Sequence, residues 1–142
     1  MELNKNDGGR EAAGYKGTAG DCVCRAIAIA TEKPYQEIYD LINSHAQLER
    51  TGKRKRGKSS ARGGVYKDTI RKLMETLGWK WVPTMFIGQG CKVHLRTNEL
   101  PKGRLVVNVS KHTTCVIDGV LNDTYDCSRK GTRCVYGYFI KE

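Results

Sequence analysis

The spacing of apolar residues along this chain changes at Gly78, and that change constrains the fold more than any other feature. Before it the spacing is helical. Val23, Ala26, Ile27 and Ala30 fall at i, i+3, i+4 and i+7, and Ala28 with Ile29 fills the other side. A helix that is apolar nearly all round needs cover on every side, so this one is central and buried. Pro34 opens a second helix with Tyr35, Ile38, Tyr39, Ile42 and Ala46 on one face, an amphipathic and peripheral element. A third carries Tyr66, Ile70, Leu73, Met74 and Leu77, with Gly78 as its C-terminal stop. Beyond Gly78 the period becomes two. Trp79 and Trp81 alternate with Lys80 before Pro83, Leu105 to Val109 is β-branched, and Val135 to Ile140 reads as strand. Helices first and strands second predict an α+β fold, with N-terminal helices packed on an antiparallel sheet.

A hairpin is legible inside the second half. Asp118-Gly119 between Ile117 and Val120 is a two-residue turn signal. Counting outward sets Val116 opposite Leu121, Thr114 opposite Asp123 and His112 opposite Tyr125. His112, Thr114, Leu121, Asp123 and Tyr125 then share one face, with Asp123 diagonal to His112 and within reach of it. Asp126 is the alternative carboxylate, because a one-residue bulge near Asn122 exchanges the faces.

At 142 residues the chain is expected to form one domain, residues 1–142. Its longest apolar stretch, around Ala26 to Ala30, is far below the roughly 20 residues of a membrane span, and the opening Met1 to Asn6 has no apolar signal core. A soluble cytoplasmic protein with no membrane partner is the expectation. Six cysteines at positions 22, 24, 91, 115, 127 and 134 form no C-x-x-C pair, so neither a structural metal nor any cofactor is expected. Without a signal segment, reduced thiols are expected instead of a disulfide framework.

The formal charge of +10 is concentrated. Residues 50–63 hold seven basic side chains and no acid, so the other residues carry 18 basic against 15 acidic groups, or only +3. This stretch predicts an exposed loop that contributes nothing to the core. Its Lys53, Arg54, Lys55, Arg56 and Lys58 are suited to phosphates or to an acidic protein surface. Nothing beside them reads bases, so contact with nucleic acid through the loop would be non-specific and salt-dependent. Residues 1–20, with five glycines, predict an irregular arm whose backbone is free to wrap a site.

One thiol stands out. Cys22 follows Asp21, the expected N-cap of the central helix, where first-turn amides and the helix dipole favour a thiolate. Arg25, one turn on, adds to this, and the Asp21 carboxylate opposes it. Cys24 is rotated by about 200° from Cys22 and cannot face the same cleft. Cys22 as nucleophile, His112 as base and Asp123 as orienter form a coherent set. His45, on the apolar face of the second helix, and His94, between Val93 and Leu95, are expected to be a packing residue and a solvent-facing strand residue. Trp79 and Trp81 are expected in the core and at its rim.

Gly20-Asp21-Cys22-Val23-Cys24-Arg25-Ala26, followed by Gly103-Arg104-Leu105-Val106-Val107 leading to His112 and a hairpin ending in Asp, resembles the papain-like cysteine peptidase fold. Within it the pattern is similar to ovarian-tumour-type deubiquitinases and bacteriocin-processing peptidases. The whole chain also resembles small uncharacterised proteins of bacteriophages and bacteria that share the Asn6-Asp7-Gly8-Gly9-Arg10 opening. The resemblance implies a small phage-type cysteine peptidase or isopeptidase-like thiol hydrolase, in the host cytoplasm if phage-encoded, acting on a peptide or protein substrate. Papain-like enzymes usually draw an oxyanion donor from a Gln before the Cys, and Tyr15 to Gly20 has none. Backbone amides of the Gly-rich loop, Cys22 N–H among them, would take that role. The rival expectation is a non-enzymatic protein of the same fold that binds nucleic acid or an acidic host protein through the basic loop.

Overall fold

A computed structural model describes residues 1–17, 19–50 and 57–141. Three helices, α1 (Cys22–Thr31), α2 (Tyr35–Ala46) and α3 (Lys67–Thr76), cover one face of a six-stranded sheet. Its strands are β1 (Leu3–Lys5), β2 (Trp79–Pro83), β3 (Arg104–Val109), β4 (His112–Ile117), β5 (Val120–Asp123) and β6 (Val135–Lys141), in the spatial order β1-β5-β4-β3-β6-β2. The expected α+β class holds. The expectation of a wholly antiparallel sheet does not, because β1 runs parallel to β5, with Leu3 beside Leu121 and Lys5 beside Asp123. Leu3 and Met1 pack on the core, and three residues are too few to show an alternating pattern among the polar neighbours.

The α1 helix is as enclosed as its composition demands. Val23, Cys24 and Ala26 to Ala30 are all buried, against α2 on one side and β3, β4 and β5 on the other. At its C-terminal end Arg104 donates from Nε to Ala30 O at 2.9 Å and from Nη2 to Ile29 O at 3.1 Å, where Ile29 O also accepts from the C-cap Glu32 N–H at 3.4 Å. Val106, Cys115, Trp79 and Phe139 complete this core. The opposite face of the sheet buries Leu105, Val107, Val116, Leu121 and Val135 under Leu95 and Leu100, which come from the long β2–β3 connection. Trp79 is buried, whereas Trp81 sits at the rim, its ring centroid 4.9 Å from that of Phe139.

The hairpin register agrees with the count from Asp118-Gly119: Ile117 pairs with Val120, Val116 with Leu121 and Cys115 with Asn122. Both turn residues have positive φ, 48° and 81°, as a type I′ turn requires. Gly119 is also held by space, since a Cβ there would lie 2.5 Å from Thr97 Cγ2.

Two further expectations are corrected. Within the 50–63 stretch, Ser59 and Ala61 are buried, and Ala61 joins the helical core. Ala61 N–H donates to Asn43 Oδ1 at 2.9 Å and Ser59 N–H to Glu49 Oε1 at 2.6 Å, so small side chains and backbone amides dock where the basic residues could not. Lys58 is exposed, with Nζ on Gln47 O at 3.1 Å. Lys53, Arg54, Lys55 and Arg56 lie outside the described residues. Secondly, Cys91 and Cys134 are joined by a disulfide, not free. An antiparallel bridge between His94 and Cys134 brings them together, a contact across 43 residues that no local pattern announces.

Candidate active site

The N-terminal end of α1 meets the start of β4 at a cleft of about 320 Å³ lined by Cys22, His112, Thr113, Trp81, Phe139 and the glycines 20, 63 and 64. Cys22 is half-buried on the first turn of α1. His112 opens β4, and its Nε2 lies 2.7 Å from Asp123 Oδ2, at the end of β5. Their side chains are only 8% and 4% exposed. The sequence-derived diagonal is therefore a direct contact. Asp126, the alternative, is exposed and accepts hydrogen bonds from Ser128 N and Oγ at 2.9 and 2.6 Å.

With Nε2 occupied by Asp123, Nδ1 is the ring nitrogen left for a second partner. Burial alone would raise the Cys22 pKa, yet the thiol is held below its ordinary value by a hydrogen bond with the His112 side chain, by the Thr113 backbone amide, and by the charges of His112 and Arg25. His112 moves the opposite way. Burial pulls it down, but hydrogen bonds with Asp123, Cys127 and Cys22 outweigh that and raise it well above the usual imidazole range. Burial would likewise raise Asp123, and hydrogen bonds with His112 and from the Thr124 backbone amide hold it low. Opposite shifts on a thiol and an imidazole in contact favour a thiolate–imidazolium pair. Cys24, two residues along, is wholly buried with Sγ 3.8 Å from Tyr35 O, and burial pushes its pKa up to about 12.

Asp21 departs from its expected role. It occupies the N-cap position but makes no side-chain capping hydrogen bond. Its carboxylate is 1% exposed and accepts from Tyr35 Oη at 2.6 Å, with Arg10 Nε at 3.1 Å and Arg25 Nη1 alongside. The first-turn amides of α1, which no intrahelical carbonyl reaches, are thereby left at the cleft end without a cap.

Three contributors surround the Cys22, His112 and Asp123 set, of which only Cys127 was given no part by the sequence. Arg25 Nη2 stands 3.8 Å from Asp123 Oδ1, so this side chain links the Asp21 cluster to the His112–Asp123 pair. Cys127 Sγ lies 3.6 Å from Asp123 Oδ2, buried behind the same pair. The N-terminal arm is the third: Asn6 N–H donates to Asp123 O at 3.0 Å, and Gly8 lies so close to α1 that a Cβ would stand 3.0 Å from Arg25 O. Gly8 has φ of +72°, and the turn it makes delivers Arg10 to Asp21. The five glycines were the only available signal, because a contact made by a glycine backbone has no side-chain pattern.

The other histidines lie apart from the cleft. His45 is half-buried with Nδ1 3.0 Å from Leu41 O, a local helix contact consistent with packing. His94 is half-buried instead of solvent-facing, its Nδ1 3.2 Å from Glu99 Oε1. Comparison with family models, curated proteins and solved structures returns no match, so the site is interpreted from its own geometry.

Proposed function

We propose that the protein is a small thiol hydrolase of papain-like type, a cysteine peptidase or isopeptidase, in which Cys22 is the nucleophile, His112 the acid–base and Asp123 the orienting carboxylate. One observation carries this reading: a half-buried thiol on the first turn of a helix shares a cleft with a histidine whose far nitrogen is 2.7 Å from a buried carboxylate. In the resting pair the proton resides on His112 and the charge on Cys22 Sγ. Attack on a substrate carbonyl forms an S–C bond and an oxyanion, which the open first-turn amides of α1 are suited to receive. His112 then gives its proton to the leaving amine as the C–N bond breaks. Water, deprotonated by the same imidazole, releases the acid and restores the thiol proton to the pair.

Cleft lining supports a peptide-like substrate. Trp81 and Phe139 supply apolar wall, and glycines 20 and 64 have open space where a Cβ would be, leaving room for an extended chain to pass. Lys67, Arg71 and Lys111 add positive charge at the margin.

Reaction with iodoacetamide tests the thiolate. Near neutral pH Cys22 is expected to alkylate at least about tenfold faster than Cys24, and His112→Ala to remove most of that difference. Equal rates at Cys22 and Cys24, unchanged by His112→Ala, would overturn the proposal. Cleavage of a peptide library, lost in Cys22→Ala, tests the hydrolysis itself; a library left intact by the unaltered protein would favour the binding alternative.

A further inference from the structure

The β2–β3 connection runs from Thr84 to Gly103, 20 residues whose only regular element is a short 3-10 turn at Thr97–Glu99. Loops of that length inside a compact domain need something to hold them. Leu95 and Leu100 are buried and anchor the far half, whereas Phe86 and Ile87 in the near half are exposed. Between the two halves stand Cys91 and His94, and across from them on the approach to β6 stands Cys134.

The backbone fixes this trio. Leu95 N–H donates to Arg133 O at 2.8 Å and Val135 N–H to Val93 O at 2.8 Å, so His94 and Cys134 face each other in a short antiparallel ladder. The two sulfur atoms and a ring nitrogen of His94 all lie within 4.8 Å of one another. Ligand atoms around a tetrahedral zinc ion stand about 3.3–3.8 Å apart. Glu99 Oε1 accepts from His94 N–H at 3.1 Å and lies 3.2 Å from Nδ1, which orients the ring as a carboxylate behind a zinc-bound histidine does.

We propose that Cys91, His94 and Cys134, when reduced, bind a zinc ion that staples the β2–β3 loop to the strand β6. Two thiolates and a neutral imidazole are a soft, borderline donor set of the kind zinc prefers, with water completing the tetrahedron and Glu99 fixing the imidazole through Nδ1. The disulfide and the zinc site are two forms of one staple. A dithiol reagent opens the disulfide by transferring two electrons and two protons, becoming a cyclic disulfide itself; zinc then displaces both thiol protons. This site shares no residue with Cys22, His112 and Asp123, and it stands whether or not the protein is a hydrolase.

Zinc retention by the full chain tests it. After reduction with dithiothreitol, addition of zinc chloride and removal of excess metal, about one zinc per chain is expected. Oxidation with diamide, which takes up the two electrons and two protons of the thiols, should abolish retention, and renewed reduction should restore it. That cycle needs no substitution, so it does not depend on a variant folding. His94→Ala and Cys134→Ser should each lower retained zinc at least about tenfold, while Cys127→Ser, beside His112, leaves it unchanged. Cobalt chloride in place of zinc should give a sulfur-to-cobalt charge-transfer band. A reduced chain that retains no zinc, retention that survives His94→Ala and Cys134→Ser, or retention lost in Cys127→Ser would each overturn the proposal.

Discussion

Two histidines in this molecule are each in contact with a carboxylate and flanked by two cysteine sulfurs, and their surroundings differ. His112 and Asp123 lie deep, 8% and 4% exposed, and 2.7 Å apart; His94 and Glu99 are 29% and 23% exposed and 3.2 Å apart. In the deep pair little solvent screens the charges, so the His112 pKa is raised and that of Cys22 lowered. The shallow pair is screened and has the disulfide-bonded sulfurs of Cys91 and Cys134 beside it. In the two proposals, similar residue types serve as a nucleophile set in one place and as a ligand set in the other. Depth separates them.

The largest expected effect tests the deep set. His112→Ala should lower peptide cleavage by about a thousandfold or more, because in the proposed mechanism His112 both generates the nucleophile and protonates the leaving group, which water cannot do in its place. Next comes Asp123→Ala, for which a loss of roughly 10- to 100-fold is expected, read from the same cleavage rates. Without Asp123 the imidazole loses its proton at lower pH, so the pH window over which Cys22 alkylates as half of an ion pair should narrow from its alkaline side. A loss as large as that of His112→Ala would mean that Asp123 does more than orient the ring.

Stability supplies a third measure. The folded-state pKa of His112 is raised, so its contribution is complete below the unfolded value of about 6.5 and fades as pH climbs through the folded value. That of Asp123 is lowered, so its contribution is present above about 3.9 and is lost as pH falls through the folded value. Asp123→Asn should therefore cost on the order of 1–2 kcal/mol near pH 6 in urea unfolding and progressively less in acid. An equal cost at all pH values would show that the carboxylate's charge is irrelevant there. The smallest effect is expected in the shallow pair: Glu99→Gln should leave the alkylation rate of Cys22 within about twofold of the unaltered protein, since exposed charges act weakly at a distance. A larger change would couple two regions that the fold keeps apart.

The parts of this architecture that repeat at short range were legible before any coordinates. The all-apolar α1, the faces of α2 and α3, the strands after Gly78 and the Asp118-Gly119 hairpin all follow from local spacing, and so does the proximity of Asp123 to His112, because a hairpin register is set by its turn. Cys22 was marked by its place beside an expected helix start. What escaped was of two kinds. Short polar segments whose partners are distant in sequence carry no periodicity, as with β1 beside β5, Ala61 on Asn43 and Asn6 on Asp123. Side chains that choose among several partners were misassigned: Asp21 turned from capping α1 to Arg10, Arg25 and Tyr35, because buried arginine and tyrosine donors outbid exposed amides for its carboxylate.

The sequence by itself determined the helical and strand periods, the hairpin register and which residues are candidates for thiol chemistry, since each depends on neighbours within a few positions. Only the tertiary structure decided which thiols meet which histidines, because placing Cys22 by His112 and Cys91 by Cys134 closes loops of 90 and 43 residues, and local spacing holds no information over such lengths.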